Sequence, residues 1–272
     1  MWFPPILCQS GSLRWLASSI ALLLVGVDSR AQEVWIDSAS GNWSANANWL
    51  DGTAPPGGGS ATLSLRFTGD GFTNITATND FFGPFRLNRL LLDYDGGATF
   101  TIVSRNGASL EFTGASPTIS QLGLGGVTIT SPVLLNPSGG IVTIDGAGTN
   151  NVIFSSVISQ SGNPAGLLIN VAGTSPNASV IQLLAPNTFS GGVRLAAGNL
   201  GIFHGGALGT GTLRVQGGTL RMLNTGLSVP NRIALESDLV ITSDLDGGHA
   251  GRIRHIRNSQ RQGIILFTGG QD

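Results

Sequence analysis

GGVRLAAGNLGIF (residues 191–203) and GTLRVQGGTLRML (residues 211–223) are two copies of one pattern, offset by 211 − 191 = 20 residues. In each copy apolar residues alternate with others and glycine ends each short run, which predicts two short strands per copy. A fixed period of about 20 residues with this content is typical of a β-solenoid, in which successive coils stack on one another. The identical pairs are Gly191/Gly211, Arg194/Arg214, Gly198/Gly218 and Leu200/Leu220.

Strand-like runs also precede this repeat, beginning at Ala61. In nearly all of them apolar and polar residues alternate, so Leu, Ile, Val and Phe fall on one face and Thr, Ser, Asn and Asp on the other. We therefore predict an all-β chain with the solenoid over residues 61–243 and about seven stacked coils over residues 97–243. The side chains predicted to point into the stack are Val193, Leu195, Leu200, Val215 and Leu220. The runs read ATLSLRF, RLNRLLLDY, ATFTIV, ASLEFTG, GVTITSPVLL, GGIVTIDG, NNVIFSSVIS, GLLINVAG and SVIQLLA.

The composition favours a stacked, hydrogen-bonded protein and disfavours a nucleic-acid partner. Of 272 residues, 41 are Gly, 41% are hydrophobic and only 11% are charged, and the net charge is −1. The apolar residues occur in regular clusters, which is unlike a disordered chain. All 14 basic residues are Arg and most are scattered, so we expect no nucleic-acid partner. The single cysteine, Cys8, offers no intrachain disulfide, and the fold must rest on hydrogen bonds and packing.

The amino terminus, residues 1–31, has the pattern of an export signal. Arg14 precedes the apolar run LASSIALLLVGV (residues 16–27), and Ser29 and Ala31 are the small residues of a cleavage site. The apolar run has about a dozen residues, whereas roughly 20 are needed to span a bilayer, and a permanent anchor is the alternative. We predict cleavage after Ala31, a secreted or cell-surface location in a bacterium, and no membrane span after cleavage.

A Trp-rich segment, residues 32–60, follows the signal and is predicted to be an N-terminal cap and loop. Trp35, Trp43 and Trp49 are separated mainly by Gly, Ser and Asn residues and are followed by the loop-like DGTAPPGGGS. The open end of a solenoid exposes unpaired strand edges and an apolar cross-section, which bulky aromatic side chains can cover. The alternative is an aromatic platform that binds a sugar.

The stretch APNTFSGGVRLAAGNLGIFHGGALGTGTLRVQGGTLR (residues 185–221) resembles the autotransporter-associated β-strand repeat. That pattern has N-T-[YF]-[ST]-G-G before a strand, then A-G-x-L, and then A-L-G-[TS]-G and G-G-T-L around a second strand. The resemblance implies a right-handed parallel β-helix, short and incomplete here, that serves as an exported, passenger-like rod. It implies no catalytic residues. The matching positions are Asn187, Gly191, Gly192, Gly198, Leu200, Ala207, Leu208, Gly209, Gly211, Gly217, Gly218, Thr219 and Leu220.

The tail, residues 244–272, departs from the family pattern. Four of the 14 Arg residues lie within residues 252–261, which indicates either a short or truncated family member or a solvated basic end. An uncapped final coil exposes backbone donors and acceptors to other chains. We therefore expect residues 247–272 to be poorly ordered or loosely docked, and the chain to self-associate through this end.

Two groups of carboxylates are the candidates for catalysis or metal binding, because β-helix lyases and hydrolases use clustered carboxylates to hold Ca²⁺ or to act as acid and base. Asp93 and Asp95 share a strand face, but two glycines follow them directly and Asp before Gly is usual in a turn. Asp238, Asp244 and Asp246 form the second group, which lacks the distal Glu of a calcium loop. We therefore predict no metal site.

The three histidines, His204, His249 and His255, have no Cys or His partner at a ligand spacing, so no zinc site is predicted. No serine lies in a G-x-S-x-G elbow, and the Gly-rich stretches lack the Lys of a phosphate loop. We predict no catalytic residue and no cofactor.

The function predicted from these patterns is that of an exported, non-enzymatic β-solenoid with a structural or adhesive role at the bacterial surface or matrix. Its partner is expected to be a cell-surface or matrix polysaccharide, or a protein. The alternative is a β-helix protein that binds or cleaves polysaccharide. Several acidic groups and an Arg converging on one lateral face would favour an enzyme, and a face of Thr, Ser, Asn and Gly would favour the rod.

Overall fold

The computed structural model describes residues 32–36, 39–172, 180–243 and 265–266. Within these residues the regular structure consists of 24 strands and one 3₁₀ turn, Asn46–Asn48. The strands are β1 (Gln32–Trp35), β2 (Gly41–Asn42), β3 (Ser64–Gly69), β4 (Ile75–Asn79), β5 (Phe85–Leu87), β6 (Arg89–Tyr94), β7 (Phe100–Ser104), β8 (Leu110–Gly114), β9 (Thr118–Gln121), β10 (Val127–Ile129), β11 (Val133–Pro137), β12 (Ile141–Gly146), β13 (Val152–Phe154), β14 (Ile158–Gln160), β15 (Gly166–Val171), β16 (Val180–Leu183), β17 (Val193–Ala197), β18 (Asn199–Ile202), β19 (Leu213–Val215), β20 (Thr219–Met222), β21 (Ser228–Val229), β22 (Ile233–Leu235), β23 (Val240–Ser243) and β24 (Ile265–Leu266).

Three parallel sheets are built from these strands. Sheet A has the order β1-β3-β6-β9-β12-β15-β17-β19-β22, sheet B the order β2-β4-β7-β10-β13-β16-β18-β20-β23, and sheet C the order β5-β8-β11-β14. All strand pairs within them are parallel. The chain thus passes through the sheets once per turn, which confirms the predicted parallel β-solenoid. Seven strands of sheet B lie within residues 97–243, as expected for about seven coils there.

The internal repeat equals one coil of the solenoid in the later turns. Leu200 of β18 pairs with Leu220 of β20, so residues 220 − 200 = 20 positions apart lie side by side in sheet B. Earlier coils are longer, since Ile75 pairs with Phe100, which is 100 − 75 = 25 positions away. The difference comes from sheet C, because a coil with a third strand needs a third side and a further corner.

A buried asparagine closes sheet C at β14, its last strand. The Asn187 side chain accepts a hydrogen bond from the Ile158 backbone N–H at 2.7 Å and donates one to the Ala207 carbonyl oxygen at 2.6 Å. Thr188 also donates its backbone N–H to the Ile158 carbonyl oxygen at 3.0 Å. The loop that contains Asn187 therefore replaces a strand and links the last three-strand coil to the first two-strand coil.

The space between the sheets is filled by one continuous apolar cluster. Val193, Leu195, Leu200, Val215 and Leu220 expose 2, 0, 0, 0 and 1% of their surface, which confirms the predicted inward positions. Each of these side chains stacks on its equivalent in the next coil, because the strands are in register. Burial of apolar surface contributes about 25 cal/mol of free energy per Å². Because this burial is repeated in every coil, it is the main contribution to the stability of the fold.

Aromatic side chains fill the N-terminal end of the stack. Trp35, Trp43 and Trp49 expose 0, 0 and 1% of their surface. The Trp43 ring lies 5.6 Å from that of Phe67 and 5.1 Å from that of Phe85, and Trp35 meets Trp49 edge-on at 5.4 Å. Because all three indoles are buried, they offer no platform to a sugar, and that alternative is wrong for these residues.

The sheets begin within the segment that the sequence assigns to the cap. Strand β1 pairs with β3 at the start of sheet A, and β2 pairs with β4 at the start of sheet B. In the tail, β24 pairs with β21 in antiparallel fashion, a contact that the sequence patterns did not indicate. The signal segment (residues 1–31) and the rest of residues 244–272 lie outside the described residues, so the expectations for them stay predictions.

Replacement of Gly192 by Ala is expected to destabilise the solenoid by about 2–3 kcal/mol. Gly192 has a φ of +82°, and a Cβ atom added there would lie 2.3 Å from the Thr212 carbonyl oxygen of the next coil. The coils would have to separate at this point. The urea midpoint of unfolding measures the loss.

Gly139→Ala is the matched control for this prediction. Gly139 has no positive φ, and a Cβ atom there would have no neighbour within 4 Å. Its free energy of unfolding should therefore stay within about 0.5 kcal/mol of that of the parent. Equal midpoints for the two variants would show that the coils do not approach each other at Gly192 as described.

Candidate functional site

The two carboxylates of the first predicted pair have different roles: Asp93 forms an ion pair and Asp95 lies in a turn. Asp93 on β6 pairs with Arg66 on β3, whose Nε donates to Oδ2 at 3.0 Å. Asp95, in the corner after β6, accepts the Leu124 backbone N–H at 2.8 Å. Both carboxylates thus bind groups of neighbouring coils.

The second group, Asp238 with Asp244 and Asp246, is only partly described. Asp238 is exposed and has an interaction partner, whereas Asp244 and Asp246 lie outside the described residues. His204 is exposed, and its Nδ1 accepts the Gly206 backbone N–H at 2.9 Å. The other two histidines, His249 and His255, also lie outside the described residues.

No cluster of three or more His, Cys, Asp or Glu side chains suited to a metal ion occurs in the described part of the chain. No helix among these residues is long and apolar enough to cross a bilayer.

The outer face of sheet A holds the carboxylates that could form an acid–base pair. Asp145 on β12 accepts the Ser120 hydroxyl at 2.6 Å, and Asp93 lies two strands away on β6. A strand spacing of about 4.8 Å and an offset of two residues at about 3.3 Å each give roughly 12 Å between their Cα atoms. Paired glycosidase carboxyls lie about 5–9.5 Å apart. Side chains can shorten this Cα separation, but Arg66 on β3 holds Asp93 on the side of β6 away from β12, so the two carboxylates do not form such a pair.

Sheet C carries a buried carboxylate with a structural role. Glu111 on β8 is 4% exposed. It accepts hydrogen bonds from Arg86 Nε at 3.2 Å and from Asn136 Nδ2 at 2.7 Å, one on each carboxylate oxygen. The three residues lie on adjacent strands, so this network ties three coils together.

Tyr94 is a buried tyrosine with a raised pKa. Its side chain is fully buried, and burial raises the pKa of the hydroxyl above its ordinary value. The hydroxyl donates a hydrogen bond to the Gly71 carbonyl oxygen at 2.8 Å. Tyr94 therefore stabilises the corner after β3 and is not presented to a ligand.

The outer face of sheet B differs from the other two because it has no charged side chain over four consecutive strands, β4, β7, β10 and β13. The strands are in register, so their outward residues form three rows along the solenoid. We call this surface the threonine face. Its residues are Asn74, Thr99, Gly126 and Asn151 in the first row, Thr76, Thr101, Thr128 and Ile153 in the second, and Thr78, Val103, Thr130 and Ser155 in the third.

Three hydroxyl groups in the central row are not used within the protein. Thr76, Thr101 and Thr128 are partly exposed, and no hydrogen bond within the described residues involves their Oγ1 atoms. By contrast, Thr130 Oγ1 donates to the Ile102 carbonyl oxygen at 3.2 Å, and Ser155 Oγ donates to that of Ile129 at 3.4 Å. The central row therefore presents donors and acceptors at intervals of about 4.8 Å, the spacing of neighbouring strands.

Exposed apolar side chains flank the threonine face. Phe72, in the corner before β4, exposes 90% of its surface, and Phe82, in the corner after β4, exposes 83%. The Phe72 ring lies 3.4 Å from where a Cβ atom of Gly97 would stand, so it leans over the next coil. Leu124 occupies the corner before β10 and exposes 59%. The face is thus uncharged, and the corners beside it hold these exposed apolar side chains as well as the charged Asp95 and Arg105.

The sequence predicted ladders of Thr, Ser and Asn but not the threonine face itself. Strand β4, which carries Thr76 and Thr78, was not among the predicted runs. The T-x-T alternation of this strand and of residues 128–130 was the available signal.

We expect Glu33→Gln to raise the unfolding midpoint at neutral pH. Glu33 on β1 pairs in register with the inward-facing Leu65, and its Oε2 has no hydrogen-bond partner within the described residues. Burial, and then the charge of Asp51, raise the pKa of Glu33 above its ordinary 4.5. The folded state therefore holds this proton more tightly, and the stability present below the ordinary pKa is lost as the pH rises through the raised one.

Thermal melts across the acid-to-neutral range test this expectation. The Gln variant should show a flatter pH dependence than the parent, with the gain confined to pH values above the ordinary pKa. Asp51→Asn is a partial control, since it removes the smaller of the two causes and should give a smaller gain. Equal pH profiles for Glu33→Gln and the parent would contradict the burial of this carboxylate.

Comparison of the chain with known protein families, curated proteins and solved structures finds no match in any of the three.

Proposed function

We propose that this chain is an exported, non-catalytic β-solenoid that acts as a structural or adhesive rod at the bacterial cell surface or in its matrix. The observation that carries the proposal is the threonine face, where free hydroxyls of adjacent coils stand in register. A repeating polymer can make the same weak contact at each coil, and linked contacts add up without a deep pocket.

The amino-terminal sequence and the family resemblance support the exported location. Residues 1–31 have the pattern of a cleaved signal, and residues 185–221 resemble the autotransporter-associated β-strand repeat. Passenger-like attachment at the surface and self-association through the C-terminal end belong to the same proposal.

The second candidate is a β-helix protein that cleaves polysaccharide. The observation in its favour is the presence of Arg66, Asp93 and Asp145 on one face of sheet A. Against it stands the ion pair with Arg66, which holds Asp93 towards β3 and away from Asp145 on β12.

Incubation of the secreted protein with isolated bacterial envelopes and matrix polysaccharides tests the proposal. We expect the protein to sediment with the polymer while the size distribution of the polymer stays unchanged. New reducing ends, or the ultraviolet absorbance of unsaturated lyase products, would establish the enzyme instead. Loss of such products in Asp93→Asn, with binding unchanged, would assign them to the face of sheet A.

A further inference from the structure

We propose that the threonine face is the binding site of the rod, and that its ligand is an uncharged polysaccharide in an extended form. This inference rests on the proposed non-catalytic function and adds the surface and the chemical class of the partner. The central row (Thr76, Thr101 and Thr128) makes the polar contacts, and Phe72 supplies an aromatic ring at the border of the face.

Charge distinguishes this face from the others. The outer face of sheet A carries Arg66, Asp93, Asp145 and Arg194, and that of sheet C carries Arg86. Several of these groups already have partners, since Arg66 binds Asp93 and Asp145 accepts the Ser120 hydroxyl. A neutral polymer would have to displace those partners and the water that solvates the charges. A face of hydroxyl, amide and methyl groups has no such cost, so the threonine face is the surface most complementary to an uncharged partner.

The unused hydroxyls of the central row suit this face to hydrogen bonding with a sugar. Each Oγ1 of Thr76, Thr101 and Thr128 both donates and accepts, as do the hydroxyl groups of a sugar. The backbone groups of β4, β7 and β10 are consumed in the parallel ladders of sheet B, so they do not compete for the ligand. A polysaccharide lying along the solenoid would meet one threonine in each coil.

The exposed phenyl ring favours a sugar polymer over a flat crystalline surface such as ice. Phe72 exposes 90% of its surface and is held over Gly97 of the next coil, so it stands at the border of the face. A protruding ring would hold a rigid plane away from the threonines. A pyranose ring, which has an apolar side, can instead stack on an aromatic ring. Ice binding is therefore the competing outcome of the test.

Sedimentation with acid-swollen cellulose and with colloidal chitin, whose chains are not confined to flat crystal faces, tests this inference with the full exported chain. Thr101→Arg places a long charged side chain in the middle of the face, and we expect it to weaken binding at least roughly tenfold, or about 1.4 kcal/mol. Phe72→Ala should also weaken binding, with unchanged thermal stability because the ring is exposed. Thr143→Arg is the matched control, since Thr143 is a partly exposed threonine on the outer side of sheet A. Leu50→Ala, at a residue that is 65% exposed, controls for Phe72→Ala.

Support requires binding to a neutral polymer that falls in both face variants and persists in both controls. Equal loss in Thr101→Arg and Thr143→Arg would place the site elsewhere and overturn the inference, while the proposed adhesive function would stand. Binding only to acidic polysaccharides, or inhibition of ice recrystallisation without polymer binding, would also overturn it. Cleavage of any polymer would instead refute the proposed function.

Discussion

Replacement of Leu200 by Asp is expected to cost more than about 4 kcal/mol and to unfold the C-terminal coils. Leu200 is fully buried and pairs in register with Ile181 on one side and Leu220 on the other. The substitution removes an apolar contact in three coils at once and leaves a carboxylate without water. A small domain has a stability of only about 5–15 kcal/mol, so the loss is a large part of the total.

The loss of stability caused by Leu200→Asp should follow the order of the coils along the solenoid axis. Each coil contacts only its neighbours, so the coils beyond Leu200 lose their support while the earlier three-strand coils keep theirs. Hydrogen exchange should therefore show lost protection in β18, β20 and β23 before β4, β7 and β10. Arg194→Asp is the control, because Arg194 is exposed on the adjacent strand of the same coil and its replacement should change stability by less than about 1 kcal/mol. Uniform loss of protection in all coils would contradict nearest-neighbour stacking.

The second large effect is expected at the opposite end, where Trp43→Ala should cost about 3–5 kcal/mol. Trp43 is fully buried and its ring meets those of Trp49, Phe67 and Phe85 at 6.4, 5.6 and 5.1 Å. The Trp43 carbonyl oxygen also accepts the Trp49 Nε1–H at 2.8 Å, and this backbone acceptor survives the substitution. The loss in free energy of unfolding is therefore that of creating a cavity. The urea midpoint of unfolding measures it.

Trp43→Phe separates the packing of the ring from its polar atom. Nε1 of Trp43 is buried with no hydrogen-bond partner within the described residues, so Phe loses ring volume but no hydrogen bond. We expect it to cost less than half as much as Trp43→Ala. A similar cost for both variants would mean that the ring that Phe retains adds nothing, against the ring contacts described, and an unchanged midpoint for both would show that the tryptophans do not close this end.

The positions of the corners could not be predicted from alternation alone. The run RLNRLLLDY was a single predicted strand, but it contains the end of β5 and all of β6, separated at Asn88. Asn88 is 2% exposed, and its side chain donates to the Thr113 and Ala115 carbonyl oxygens at 2.9 and 3.0 Å. In the sequence, a polar residue between apolar ones looks the same whether it lies within a strand or at such a corner. The hydrogen-bond partners that distinguish the two cases lie in the next coil.

The threonine face could not be located from the sequence for a related reason. Thr101 lies 101 − 76 = 25 residues after Thr76, and Thr128 lies 128 − 101 = 27 residues after Thr101. The two corner lengths differ, so no fixed period links these residues. Only the parallel ladder of sheet B, which forms between coils, brings them into one row.

Alternation and the 20-residue repeat by themselves determined the parallel solenoid and the inward residues Leu200 and Leu220, because strands of equal period stack identical positions on one another. The tertiary structure alone decided three other features: the third sheet of the early coils, the choice of a cap over a sugar platform for the tryptophans, and the alignment of the threonines. Each of these depends on contacts between residues that are far apart in the chain, whose register is set by corner lengths and by packing between coils. The pattern within a single strand, which has a period of two residues, contains no information about that register.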